Sequence, residues 1–311
     1  MNPIICIAGP TASGKTDLAV ALAKAVDGEV VSCDSMQVYR RMDIGTAKPS
    51  AEEMQGIPHH MLDVAEPDED FSVSRYCAMA APIVDEIVAS GKTAIIAGGT
   101  GLYMDALIRG NDFAPFPSTG VREALEAETD RLGMETMLEK LRAIDPDSAG
   151  RLHLSDRKRI LRALEVYLET GTTITEHNHR TRQLPDRYHP LWLGLDFTDR
   201  AVLYDRINRR VSRMLEAGLL HEIEALLESG IPETCTAMQA IGYKEFLPVL
   251  RGERPLEEAA AEVCQASRRY AKRQLTWFRR NSVIHWLQRE ESTSPDEMFR
   301  QARQILREFD T

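Results

Sequence analysis

Residues 9–16 read Gly9-Pro10-Thr11-Ala12-Ser13-Gly14-Lys15-Thr16, a full match to the phosphate-binding loop G-x-x-x-x-G-K-[ST]. The preceding run, Ile4-Ile5-Cys6-Ile7-Ala8, is short, apolar and rich in β-branched residues, so it reads as a buried strand. The following run, Asp17-Leu18-Ala19-Val20-Ala21-Leu22-Ala23-Lys24, is a strong helix former. Strand, glycine loop and helix N-terminus together build an anion site, because backbone N–H groups converge there and the helix dipole favours negative charge. Lys15 is expected to reach the terminal phosphate, and Thr16 to place its hydroxyl on Mg2+. By itself the loop implies a bound di- or triphosphate and leaves its identity and fate open.

Outward from the loop, the chain alternates strands and helices. Glu29-Val30-Val31-Ser32-Cys33 reads as a second strand, ending at Asp34-Ser35-Met36-Gln37-Val38-Tyr39-Arg40. Ligand-facing residues of open α/β sheets lie just past the carboxyl ends of strands, which puts Asp34 on the same edge as the phosphate loop. Residues 71–90 read as a helix starting near Ser72 or Ser74. Thr93-Ala94-Ile95-Ile96-Ala97 is another buried strand, running into a second glycine turn, Gly98-Gly99-Thr100-Gly101-Leu102-Tyr103. Such alternation implies a parallel sheet with right-handed crossovers.

Past Asn111 the character changes. Asp112-Phe113-Ala114-Pro115-Phe116-Pro117-Ser118 is a proline-punctuated linker. Residues 121–143 and 156–169 are charged, periodic helices, in which Met134, Met137 and Leu138 read as core. Leu191-Trp192-Leu193-Gly194-Leu195 returns as a strand, followed by a long helix over 199–216; the remainder reads as helical. The expected fold is α/β: a P-loop NTPase-like parallel sheet flanked by helices, with a helical insertion domain and a helical C-terminal region. The core takes residues 1–112 and 190–311, the insertion 113–189.

The 311 residues are 43% apolar and 28% charged, ordinary for a globular protein. No apolar run approaches the roughly 20 residues of a membrane helix, and the opening strand leaves no room for a signal peptide. Cys6, Cys33, Cys77, Cys235 and Cys264 are scattered and without a C-x-x-C pair, which argues for reduced thiols in the cytoplasm and against a zinc site. Nothing forces a dimer, so a monomer is expected. The net charge of −10 argues against nucleic acid only on its face, because a backbone is bound by a local patch. Between residues 261 and 280 there are six basic residues and one acid, Glu262. Arg268, Arg269, Lys272, Arg273, Arg279 and Arg280 interleave there with Tyr270, Trp277 and Phe278 on a helix. Guanidiniums suit phosphate and rings suit unstacked bases. The bland reading is a solvated amphipathic helix.

The phosphate loop, Asp34-Ser35-Met36-Gln37-Val38-Tyr39, Gly45-Thr46-Ala47-Lys48, His59-His60, Gly98-Gly99-Thr100-Gly101-Leu102-Tyr103, Gln239-Ala240-Ile241-Gly242-Tyr243-Lys244 and the run from Lys272 to Arg279 occur in this order. The pattern resembles the bacterial tRNA dimethylallyltransferases, also called tRNA isopentenyltransferases, of the IPP transferase family. It extends from about residue 4 to about residue 290. The phosphate loop is shared by very many families; the Asp34 and Gly98 segments together are far more specific.

The resemblance implies transfer of a five-carbon allylic group from dimethylallyl diphosphate to N6 of the adenosine just 3′ of the anticodon in tRNA, with diphosphate released. It implies that Gly9, Pro10, Thr11, Ala12, Ser13, Gly14, Lys15 and Thr16 hold the diphosphate with Mg2+. Arg210 and Thr100 match the family's arginine and hydroxyl near that group. Asp34 matches its general base; position alone leaves base and structural roles equally open. Asp34, Ser35, Met36 and Gln37, with Val38 and Tyr39, match the segment lining the adenine channel. Lys158-Arg159-Ile160-Leu161-Arg162, Gln239-Ala240-Ile241-Gly242-Tyr243-Lys244, Lys272 and Arg273 match tRNA-contacting segments for the anticodon stem-loop. The family commonly has glutamine where Lys158 stands, a departure at a base-reading position. His59 and His60, adjacent in a strand, point to opposite sides and do not make a metal pair. Tyr103 and Trp277 read as packing residues.

Three other functions share parts of this pattern. A P-loop small-molecule kinase would use the insertion as an ATP lid but has no use for the basic aromatic helix. An RNA-binding ATPase switch would bind RNA without prenylating it. An adenylate isopentenyltransferase would need no anticodon-arm surface.

Overall fold

The run that ends at Ala8 becomes an interior strand, because helices cover both of its faces. The computed structural model describes residues 4–111, 119–183 and 185–309. From the N-terminus these are β1 (Ile5–Ala8), α1 (Lys15–Val26), β2 (Gly28–Cys33), α2 (Ala51–Met54), β3 (His59–His60), α3 (Val73–Ala89), β4 (Thr93–Gly98) and α4 (Gly101–Arg109). Then come α5 (Val121–Ile144), α6 (Pro146–Ala149), α7 (Arg157–Thr170) and α8 (Ile174–Gln183). The chain continues through β5 (Leu191–Phe197), α9 (Arg200–Glu216), α10 (Leu219–Glu228), α11 (Leu247–Leu250), α12 (Leu256–Phe278), β6 (His285–Arg289) and α13 (Pro295–Phe309).

Two compact units result, one holding Met1–Gly110 and Arg187–Thr311, the other Asn111–Asp186. In the first, six strands pair in the order β3-β2-β4-β1-β5-β6, every pair parallel. Alternation of side chains along β1 divides the core. Ile5 and Ile7 face Leu18 and Leu22 of α1 and Met298 and Leu306 of α13. Cys6 and Ala8 join Val31, Cys33 and Ile96 in the cluster that takes in Tyr76 of α3 and Met104 of α4. Burial on both faces is why these strands read as continuous apolar runs. Ser72 caps α3, its hydroxyl accepting from the Arg75 N–H at 3.2 Å. In the C-terminal region the helical reading omits one element: His285–Arg289 is β6, at the sheet's edge beside β5.

The second unit is helical. Leu125, Met137, Leu138 and Leu141 of α5 pack with Ile160, Leu161 and Leu164 of α7. Gly133, at φ 81° and ψ 164°, breaks α5 into two segments. The expected linker, 112–118, lies outside the described residues.

Candidate active site

The carboxyl ends of β1, β2 and β4 converge, so their following turns meet. Gly98 and Cys33 sit so close that a Cβ on Gly98 would stand 2.0 Å from the Cys33 carbonyl oxygen, and only glycine fits. Past these strand ends, the Thr100 hydroxyl accepts from the Ser35 N–H at 3.0 Å. Asp34 Oδ1 accepts from the N–H groups of Met36 at 2.9 Å and Gln37 at 3.3 Å. This local turn fixes the carboxylate and leaves Oδ2 without a hydrogen-bond partner among the described residues. Gln37 is turned inward, its amide donating to the carbonyls of Thr46 at 3.3 Å and Ala47 at 3.0 Å.

The phosphate loop has the conformation its glycines require. Gly14, at φ 92°, is left-handed and leads into α1. Lys15 Nζ donates to the carbonyls of Gly9 at 3.1 Å and Pro10 at 2.8 Å, folding over the loop. Burial pushes the Lys15 ammonium down to about 8; the Arg210 charge adds to this and Asp34 opposes it. Arg210 is itself pushed down, first by burial, while Asp34 again opposes. Its Nη2 reaches the Thr46 carbonyl at 3.4 Å. Two half-buried cations and one carboxylate therefore share one electrostatic neighbourhood. Ser13 Oγ is buried there with no partner among the described residues, a polar atom suited to an anion's oxygen.

No group of three His, Cys, Asp or Glu able to cage a metal occurs among the described residues. The donor set fits Mg2+ nonetheless, because that ion takes one or two protein ligands and completes its shell with phosphate oxygens and water. Thr16, in the first turn of α1, is half-buried and offers the hydroxyl. His59 and His60 form β3 and separate as expected. His59 Nδ1 lies 2.9 Å from the Ile57 carbonyl and His60 Nε2 lies 2.7 Å from Glu29.

Two polar side chains that organise these loops, buried Gln274 and half-buried Glu222, escape a reading of the sequence. Gln274 of α12 accepts from the Thr11 N–H and donates to the Gly99 carbonyl, joining the two glycine turns. Glu222 of α10 accepts from the N–H groups of Asp43, Ile44 and Gly45 and from the Tyr243 hydroxyl, fixing the loop that meets Gln37 and Arg210. No local spacing announces either role, since the backbone groups they hold lie more than 150 residues away in the chain. Tyr103 is buried as expected, and the Trp277 indole N–H donates to Asp105 at 2.9 Å.

The segments expected to meet RNA divide into surface and core. On α7, Lys158, Arg159 and Arg162 are exposed on one face, whereas Ile160 and Leu161 are fully buried. Helical periodicity turns those two apolar side chains inward, so they support the face and do not present side chains to RNA. Gln239 and Lys244 are exposed, but Tyr243 is fully buried and bonded to Glu222, which corrects its expected contact. Val38 and Tyr39 are likewise core residues rather than channel lining. Lys272 and Arg273 are exposed on α12, with Arg273 5.5 Å from the Tyr270 ring centroid.

Residues 37–281 match the family model described as IPP transferase. The chain belongs to this family. The phosphate loop and Asp34 precede the matched span, but pairwise similarity covers them. The tRNA dimethylallyltransferase of Acetivibrio thermocellus is 45% identical over 310 residues, 99% of each chain. That of Thermoanaerobacter pseudethanolicus is 47% identical over 285 residues, 91% of this chain and 90% of the relative. The crystal structure of the tRNA isopentenylpyrophosphate transferase from Bacillus halodurans superimposes with a TM-score of 0.73 at 41% identity, covering 98% of this chain and 96% of that one. A eukaryotic dimethylallyltransferase acting on tRNA gives 0.80 at 28% identity, covering 97% and 78%.

Proposed function

We propose that this IPP transferase moves the dimethylallyl group of dimethylallyl diphosphate to N6 of the adenosine 3′-adjacent to the anticodon in tRNA, releasing diphosphate. The observation that carries this reading is the grouping of Asp34, Lys15 and Arg210 at the phosphate loop. A leaving diphosphate needs fixed positive charge where negative charge develops. Lys15 and Arg210 supply it, together with loop N–H groups and the Ser13 hydroxyl. The N6 lone pair forms a bond to C1 of the allyl group. The C1–O bond breaks, and its electron pair leaves with the diphosphate. The exocyclic amine is a weak nucleophile and must lose a proton as it attacks; Oδ2 of Asp34 accepts it. The Thr16 hydroxyl would hold Mg2+, which would supply Lewis-acid neutralisation of the leaving group.

An adenine stacked in the anticodon loop is out of reach, so the base must be extruded toward Asp34. Lys158, Arg159 and Arg162 on one unit, and Gln239, Lys244, Lys272 and Arg273 on the other, are the exposed groups we assign to the anticodon arm. All five cysteines are free thiols, in keeping with the reducing cytoplasm. One chain carries every assigned residue, so a monomer suffices.

The test is incubation with dimethylallyl diphosphate, Mg2+ and unmodified tRNA, followed by nucleoside analysis. Appearance of N6-dimethylallyladenosine with stoichiometric diphosphate is expected. ATP consumption without tRNA would favour a kinase, and prenylation of free AMP at the same efficiency would favour an adenylate isopentenyltransferase.

A further inference from the structure

Two guanidiniums brace the phosphate loop from behind. Arg206 of α9 donates from Nε to the Ala12 carbonyl at 2.9 Å. Arg289 of β6 donates from Nη1 to the Ser13 carbonyl at 2.9 Å and is nearly fully buried. Both guanidinium carbons lie 5.9 Å from the centroid of the Phe197 ring. Arg289 is pressed against the loop so closely that a Cβ on Gly14 would stand 2.5 Å from its Nη1. Burial is the first cause pushing both guanidiniums below their ordinary range, Arg206 further so by the charge of Arg289; Asp17 opposes in each case.

We infer that Arg206 and Arg289 are positioning residues for the diphosphate, acting through the loop's peptide groups. The Ser13 carbonyl belongs to the same peptide unit as the Gly14 N–H. A cation on that oxygen withdraws electron density and makes the N–H a stronger donor toward an anion. The Ala12 carbonyl shares its peptide with the Ser13 N–H, which closes the loop's turn on Pro10 at 3.3 Å. Arg206 thus holds the turn and Arg289 polarises its exit into α1. Both also place positive charge beside the loop without taking a place the diphosphate needs. This inference rests on the proposed diphosphate reading.

Calorimetric titration with inorganic diphosphate and Mg2+ tests it on the full chain. Arg289→Gln and Arg206→Gln keep an amide donor and remove the charge. Each should weaken diphosphate at least about tenfold, about 1.4 kcal/mol. Arg289→Lys, which keeps the charge, should recover most of that loss. Binding of tRNA by the same proteins should stay within about twofold on the scale of an unperturbed surface. Glutamine variants that lose thermal stability yet bind diphosphate like the parent, measured at a temperature where they are folded, would overturn the inference and leave a structural brace. If a glutamine variant fails to fold, the Arg206→Lys and Arg289→Lys pair decides: parent-like affinity supports a charge effect, a tenfold loss overturns it. A parent protein that binds no diphosphate would instead sink the functional reading itself.

Discussion

Gln274 holds Thr11: its Oε1 accepts the Thr11 N–H at 2.9 Å while its Nε2 donates to the Gly99 carbonyl at 3.0 Å. One buried amide on the basic helix thereby sets the spacing between the phosphate loop and the turn that carries Thr100. Gln274→Leu leaves two backbone groups unsatisfied, which costs about 1–3 kcal/mol for each that stays dry. It should also lower kcat/KM for the donor about tenfold, the scale expected when a reacting group is misplaced. Thermal melts and steady-state kinetics separate the two effects; a lower Tm with unchanged kcat/KM would reduce Gln274 to a structural tie.

Asp34→Asn discriminates between the two uses of that side chain. The amide oxygen can still accept the Met36 and Gln37 N–H groups, so the turn should persist. It cannot take a proton, so turnover should fall about 10²- to 10⁴-fold, the usual contribution of a general base. Diphosphate affinity should change little. Retention of turnover within a few-fold would refute the base assignment.

Acid should loosen the β3 edge of the sheet. Glu29 is held below the usual carboxylate range by its hydrogen bond from Lys92 first and from His60 next. A carboxyl with a depressed folded pKa stabilises the fold above its unfolded pKa, and that stabilisation is lost as pH falls through the folded value. Melting temperature should therefore decline between about pH 5 and pH 3, and Glu29→Gln should flatten part of that decline. Parallel curves for parent and variant would show that this cluster contributes nothing to acid sensitivity.

Lys272 and Arg273 give the electrostatic prediction. Both are exposed on α12, and neither has an acidic partner among the described residues. Replacing both by alanine should weaken every substrate tRNA to a similar degree. It should also lower the slope of log K against log salt by about 1–2. Binding of dimethylallyl diphosphate alone should be untouched. Filter binding at several salt concentrations measures this; an unchanged slope would move the footprint to Lys158, Arg159 and Arg162.

Local chemistry made the sheet and its phosphate loop legible. Ile4-Ile5-Cys6-Ile7-Ala8 carries enough apolar surface, and Gly9 and Gly14 enough turn character, to declare strand, loop and helix without any distant residue. Asp34 was legible because strand ends share an edge. The edge strand β6 was not: His285-Trp286-Leu287-Gln288-Arg289 is short, follows a long helix, and owes its conformation to pairing with β5. Motif matching also treats a segment as uniform, whereas helix periodicity turns Ile160 and Leu161 inward and burial in a turn, with the bond to Glu222, fixes Tyr243. Contacts such as Gln274 to Thr11 and Glu222 to Asp43 depend on the whole fold being assembled, which no window of sequence contains.

The bond from Arg289 to the Ser13 carbonyl has a consequence for how the molecule is made. The two residues are 276 apart in the chain. At about 5–20 residues per second a ribosome needs roughly 15–55 s to travel between them. The phosphate loop is among the first segments to emerge and among the last to be completed. Until β6 adds to the sheet, a nascent chain carries a loop without its rear cation and a β5 edge open to wrong partners. Chains that stop short of Arg289 should thus compete poorly for dimethylallyl diphosphate, so that donor capture becomes a property of finished molecules alone.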